Sequence, residues 1–260
     1  MPSLSTSART IVVTGGGSGI GRAVSLLCAK RGDNVAILDK DKEAAASTVA
    51  QAGANCFALH CDVTAEEQIE EAFQAIDKRF GAPYGLFANA GVDHGGFLHE
   101  LPLATWRFVL ETNLTGVYLS CKHALKRMLA AKIGGSIVCT SSPTGFVALS
   151  SGGAGAYSAT KAGISALVRC MAVDYARHGI RVNAIVPGAT ETPLMWSNVA
   201  PGDIPKMRER VMSEVPLGRL AEPEDPARGV AWLLSEESSY MTGSNLVCDG
   251  GILAKASISV

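Results

Sequence analysis

The sequence predicts an α/β fold: a doubly wound, mainly parallel seven-stranded sheet with helices on both faces, of the Rossmann type. Three observations predict it. Short strand-like runs alternate with helical stretches along the whole chain. Several of those runs are apolar throughout, as strands covered on both faces must be. The first run, TIVVT, leads directly into the turn GGGSGIG and then into a helical stretch, RAVSLLCAK.

Strands are expected at 10–14, 34–39, 56–63, 85–88, 136–141, 181–186 and 245–248. Between them lie helical patterns, as at 66–80, where Ile69, Phe73, Ile76 and Phe80 recur at helical spacing and Asp62-Val63-Thr64 supplies a cap. Long helices are expected at 103–131 and 154–178. No composition shift marks a linker, so residues 1–260 are read as one dinucleotide-binding domain with the catalytic site built in. The segment 190–215, rich in Pro and Met, interrupts the alternation and reads as a loop that serves as a substrate lid.

Bulk composition narrows the function classes. With 47% hydrophobic and 18% charged residues, the chain is too apolar for disorder and suits a globular enzyme with a large core. A net charge of −1 argues against a nucleic-acid binder or an electrostatic membrane binder. The apolar runs are too short to span a bilayer and residues 1–9 lack a signal core, so a soluble cytoplasmic protein is expected. The seven cysteines contain no Cys-x-x-Cys pair and read as reduced core thiols, with no metal expected.

The glycine turn is the first functional signal. A turn built from Gly15, Ser18, Gly19, Ile20 and Gly21 between a strand and a helix lets backbone approach a pyrophosphate, and the helix start supplies free N–H groups and a partial positive charge. The second strand ends in Asp39, where a carboxylate accepts both ribose hydroxyls and repels a 2′-phosphate. NAD is therefore the expected cofactor, although the adjacent Lys40 softens the discrimination. Asp62 and Val63 are placed to meet an adenine ring, and the small residues of Asn89-Ala90-Gly91 allow close approach of the adenosine half.

Tyr157 and Lys161 supply the second signal. Their i, i+4 spacing puts both on one helix face. A phenol titrates at about 10, and a neighbouring ammonium favours its phenolate, so the tyrosine can exchange a proton with a substrate oxygen. The same spacing also produces plain stacking pairs on helix surfaces. Upstream, SIVCTSS delivers Ser141 and Ser142 to the carboxyl end of a strand, where ligands of open α/β sheets bind. A hydroxyl there either bonds the substrate oxygen or caps the strand end.

With TGGGSGIG, NAG, the serine strand and YxxxK in this order, the chain resembles the compact single-domain short-chain dehydrogenases/reductases from Thr10 to Gly251, including Asn113 in ETNLTG, Asn183 in RVNAIVPG and Asp249-Gly250-Gly251. The resemblance implies a tetrad of Asn113, Ser142, Tyr157 and Lys161. Tyr157 would be the acid/base, and Lys161 would lower its pKa and hold the nicotinamide ribose. Ser142 would orient the substrate oxygen, and Asn113 would keep a water linking Lys161 to solvent. Pro187 and Gly188 would flank the nicotinamide, Thr190 would contact the cofactor through its backbone, and Thr192 would meet the carboxamide. A homotetramer is implied as well, with the helices at 103–131 and 154–178 carrying the contacts.

Two departures stand out. The family usually places the serine thirteen residues before the tyrosine, where this chain has Thr144; aligning on the strand selects Ser142, with two extra residues in the loop 150–155 and Thr144 lining the pocket. Thr190 replaces a more usual aliphatic residue. On the substrate side, His94 either reaches the substrate or is a surface-loop histidine, and Met195 and Trp196 either close over the ligand or pack against the protein.

The expectation is an NAD-dependent oxidoreductase that moves a hydride between nicotinamide and a secondary alcohol or ketone. The mixed pocket of His94, Thr144 and Trp196 favours a hydroxylated small molecule, such as a sugar, cyclic diol or hydroxy acid, over a bulky apolar ketone. The alternatives are an NADPH-dependent carbonyl reductase and a non-catalytic dinucleotide-sensing regulator.

Overall fold

A computed structural model of the chain describes residues 8–148 and 151–255. Ser150, one end of the loop expected to hold two extra residues, lies outside them.

Seven strands form one sheet: β1 Thr10–Thr14, β2 Asn34–Asp39, β3 Cys56–His60, β4 Gly85–Ala88, β5 Gly135–Thr140, β6 Ile180–Pro187 and β7 Asn245–Cys248. Their spatial order is β3-β2-β1-β4-β5-β6-β7, and every adjacent pair is parallel. The order reverses between β1 and β4, which opens a crevice at the carboxyl ends of those strands.

Alternation within the strands builds two cores. Val12, Leu38, Leu86, Ile137 and Val182 face one side, against Ile69, Phe73 and Ile76 of helix α3 (Glu66–Phe80) and Ile164 and Val168 of helix α6 (Gly155–Tyr175). Ile11, Val13, Ile37, Phe87 and Val138 face the other, against Val24 and Cys28 of helix α1 (Gly19–Lys30) and Val230 and Leu233 of helix α9 (Glu224–Leu233). Each of these large side chains, fully removed from water, contributes roughly 1.5–3 kcal/mol.

Helix α2 (Lys42–Ala52) completes the second layer, and helices α4 (Leu103–Leu110) and α5 (Gly116–Ala131) complete the first. The long helix expected at 103–131 is interrupted by a wide π turn, Glu111–Thr115. Strand β3 stops at His60 rather than residue 63, because its partner β2 ends at Asp39, opposite His60. The N-cap of α3 is Ala65; Asp62 instead closes the preceding turn, its Oδ1 accepting from Thr64 N at 2.9 Å and Thr64 Oγ1 at 2.7 Å.

The segment 190–215 is not the irregular loop expected. It folds into the short helix α7 (Pro193–Trp196) and the helix α8 (Ile204–Glu214). Helix α8 buries none of its residues, and its spaced apolar side chains Ile204, Met207 and Val211 face no core; Met207 and Val211 line the open cavity instead.

Candidate active site

The crevice holds a cavity of about 1490 Å³. One end is built by the glycine turn. Gly15 has a φ of +64°, and a Cβ there would lie 2.9 Å from Ala90 Cα. A Cβ on Gly21 would lie 2.1 Å from the Gly15 carbonyl oxygen, so no side chain fits where α1 packs on the turn. Gly15, Ser18, Gly19 and Ile20 line the cavity, and Gly21 sits behind them. The start of α1 is left open: Ser18 makes no side-chain cap bond, and the first turn contains no acid. Free N–H donors and the positive helix end therefore face the cavity floor, which suits a pyrophosphate.

Asp39 lines the same wall, its Oδ2 accepting from Gly17 N at 2.8 Å and its Oδ1 from Asp41 N at 2.9 Å. Both oxygens keep lone pairs for ribose hydroxyls. Asp62, Val63, Asn89, Ala90 and Gly91 continue the wall. Asn89 also ties three strand ends together: its Nδ2 reaches the Thr14 carbonyl at 3.3 Å, and its Oδ1 accepts from Thr140 Oγ1 at 3.1 Å. The open helix start, the aligned carboxylate and the close-packed glycines fit a nicotinamide dinucleotide.

At the other end of the cavity lie Ser142, Thr144, Tyr157 and Lys161. The structure separates the two serines at the end of β5. Ser141 also borders the cavity but donates to the Lys161 carbonyl at 3.0 Å, so it braces α6. Ser142 faces the cavity and accepts from Thr144 Oγ1 at 3.1 Å. That bond occupies a Ser142 lone pair and leaves its own hydrogen for the substrate oxygen or the phenol. Thr144 thus acts on Ser142 as well as lining the pocket.

Lys161 is only 4% exposed, and its Nζ donates to the Thr140 carbonyl at 2.8 Å. Burial pushes its ammonium down to about 8. It lies 5.2 Å from the centroid of the Tyr157 ring. The phenol is held above its ordinary value, first by burial and then by the charge of Asp93, against a downward pull from the Ser142 hydrogen bond. In the protein alone the Tyr157 phenol therefore stays above its ordinary value, with burial the first cause and the Asp93 charge the second.

Asn113 is fully buried in the π turn. Its Oδ1 accepts from Val92 N at 2.8 Å, and its Nδ2 donates to the Val92 carbonyl at 2.8 Å. The wide turn aims the side chain at the loop following β4, a placement consistent with π turns at functional sites. What the structure displays for Asn113 is a clamp on the residue before Asp93.

Pro187, Gly188, Thr190 and Thr192 line the cavity where β6 ends. Thr190 Oγ1 donates to the Gly188 carbonyl at 2.9 Å, so its side chain braces its own turn. Thr192 caps α7, its Oγ1 accepting from Met195 N at 3.3 Å, and its methyl packs over Gly19. Trp196 lines the cavity beneath Arg208, whose guanidinium lies 5.5 Å from the ring centroid. Its indole Nε1 is buried without a protein partner among the described residues.

His94 does not line the cavity. It is exposed, with its ring 5.6 Å from that of Phe108 on α4. The neighbouring Asp93 lines it instead, a residue the sequence reading passed over. The available signal was its place two residues after Gly91 in NAGVDH. Among the described residues no cluster of three or more His, Cys, Asp or Glu is placed to hold a metal, and no helix is long and apolar enough to cross a membrane.

Comparison with known proteins agrees with this geometry. A family model described as Enoyl-(Acyl carrier protein) reductase matches residues 15–253. The chain is 39% identical over 249 residues to 2,5-dichloro-2,5-cyclohexadiene-1,4-diol dehydrogenase of Sphingobium indicum, covering 95% of this chain and 98% of that one. It is 42% identical over 249 residues to cis-4-hydroxycyclohexanecarboxylate dehydrogenase of Sinomonas cyclohexanicum, covering 95% and 97%. Levodione reductase superposes with a TM-score of 0.92 at 33% identity, over 96% of this chain and 99% of that chain.

Proposed function

This chain belongs to the short-chain dehydrogenase/reductase family and is an oxidoreductase acting on CH–OH groups, and from that premise we propose that it oxidises a ring-borne secondary alcohol with NAD. The observation that carries the reading is one cavity that joins the open start of α1 and Asp39 to Tyr157, Ser142 and Lys161. The preference for NAD rests on Asp39, whose carboxylate repels a 2′-phosphate. The ring alcohol rests on the diol and hydroxy-acid relatives and on a pocket that mixes Ser142 and Thr144 with Trp196.

Oxidised NAD, when bound, supplies the hydride acceptor and a positive charge. Tyr157 takes the proton from the substrate hydroxyl, and Ser142, polarised by Thr144, holds that oxygen in place. Lys161, anchored on the Thr140 carbonyl, supplies a positive charge 5.2 Å from the Tyr157 ring centroid that favours the phenolate. Asn113 keeps the loop at Val92 in register with α6. Helices α7 and α8, within 190–215, act as the lid, with Trp196 over the ligand.

We read residues 1–260 as a single domain that assembles as a homotetramer. Exposed Leu103, Phe108 and Tyr118 on α4 and α5 support the assembly. The free thiols fit a reducing compartment, which supports a cytoplasmic placement.

The test is a screen of cyclic secondary alcohols with NAD, followed by reduced-nicotinamide absorbance, on the wild type and Tyr157→Phe. The variant is expected to bind NAD normally and lose about 10²–10⁴-fold in kcat, the range of general acid–base catalysis. Wild-type turnover rates in Tyr157→Phe would end the proposal.

A further inference from the structure

Asp93 lines the cavity that holds Tyr157, together with Ser142 and Lys161, and belongs to no part of the mechanism above. Its backbone is fixed from two directions. The preceding Val92 is clamped through both its N–H and its carbonyl by Asn113, and the Asp93 carbonyl accepts a hydrogen bond from Asn198 Nδ2 beyond α7. Among the described residues nothing donates a hydrogen bond to the Asp93 carboxylate, although the side chain is half-buried. A half-buried carboxylate on a pinned backbone, with no donor to its oxygens among the described residues, has acceptor capacity left open.

The charges nearby agree. The Asp93 carboxyl is raised above its ordinary range by burial and pulled back by His94 and Lys161, and its field reaches both the Tyr157 phenol and the Lys161 ammonium. The other cavity-lining cations of α4 and α8, Arg107 and Arg210, are exposed.

Resting on the proposed oxidation of a ring alcohol, we propose that Asp93 is a specificity-determining residue that accepts a hydrogen bond from a second hydroxyl of the substrate and turns away substrates carrying a carboxylate there. The preferred substrate class is then a neutral cyclic diol rather than a hydroxy acid. The reason is chemical: a half-buried carboxylate gains from a donor and loses against a second anion.

The experiment compares kcat/KM for three probes with NAD: cyclohexane-1,4-diol, cyclohexanol and cis-4-hydroxycyclohexanecarboxylate. Ratios between probes cancel any change that a variant makes in Tyr157 ionisation. The wild type is expected to prefer the diol to the hydroxy acid by at least about 10-fold. Asp93→Ala is expected to lower the diol-to-cyclohexanol ratio by about 10–100-fold, the range for losing a hydrogen bond to a charged group. Asp93→Asn keeps an acceptor and removes the charge, so it should raise the hydroxy-acid-to-cyclohexanol ratio about 10-fold while largely sparing the diol. NADH binding by fluorescence checks that each variant is folded; if the alanine variant is not, the asparagine ratio decides. Ratios unchanged in the folded variants, or a wild type that takes the hydroxy acid as well as the diol, overturn the assignment and leave the oxidoreductase reading intact. A wild type that turns over none of the three overturns that reading and the assignment with it.

Discussion

Replacing Lys161 by methionine should make the ligand-free protein more stable at neutral pH while removing its activity. Lys161 is buried and its ammonium is pushed down from 10.5 to about 8 by burial. In the unfolded chain it returns to its ordinary value. Between those two pH values the unfolded state binds more protons, so stability rises with pH across that window. Below about pH 8 the lysine is charged in both states, and the whole penalty is present. The drop from 10.5 to about 8, at about 1.36 kcal/mol per pH unit, corresponds to about 3 kcal/mol. Methionine also forfeits the 2.8 Å bond to the Thr140 carbonyl, and an unmade hydrogen bond costs about 1–2 kcal/mol. The net gain is about 1–2 kcal/mol, equivalent to roughly 2–8 °C in Tm for a chain of this size. Urea denaturation at fixed protein concentration without cofactor, at pH 7 and again near pH 10, is the assay. The variant's advantage should shrink at the higher pH, where the wild-type lysine is already neutral in the fold. A variant less stable than wild type at pH 7, or an advantage that does not change with pH, would refute the reasoning.

Other outcomes follow from the same geometry. Asp39→Ala should raise the NADP-to-NAD ratio of kcat/KM by at least about 10-fold, as expected from removing a carboxylate that opposes a phosphate; steady-state kinetics with both cofactors measures it. Asn113→Ala breaks both bonds to Val92 inside a buried turn and should cost about 2–4 kcal/mol in urea denaturation, with kcat falling as the loop at 92–93 loosens. Gly21→Ala puts a methyl 2.1 Å from the Gly15 carbonyl, so NAD binding by fluorescence should be lost even where circular dichroism still reports a folded sheet.

Much of the architecture was legible because it is written in local periodicity. TIVVT and NVAILD are apolar on both faces, and the pairing of β1 with β2 and β4 buries both. The stripe Ile69, Phe73, Ile76 marks α3 from residue 66 to residue 80, as the structure has it. Helix α8 escaped because its short stripe of Ile204, Met207 and Val211 lies among the prolines and methionines of 190–215, and the π turn escaped because 103–131 keeps a helical composition throughout. The site divides the same way. The glycine turn and the YxxxK spacing declare themselves within one element. That Thr144 donates to Ser142 while Ser141 braces α6 depends on how the end of β5 meets that helix, and that Asp93 rather than His94 lines the cavity depends on a loop pinned by Asn113 and Asn198.

The sequence by itself determined the fold class, the strand order's raw material and the chemistry available: a glycine turn before a helix, a carboxylate at the end of the second strand, a phenol and an ammonium. Tertiary structure alone decided the electrostatics of that chemistry. Burial and the nearby Asp93 carboxylate raise the Tyr157 phenol while burial lowers the Lys161 ammonium. Desolvation depends on what surrounds a group in space, and the charge that dominates here comes from a loop more than sixty residues away in the chain.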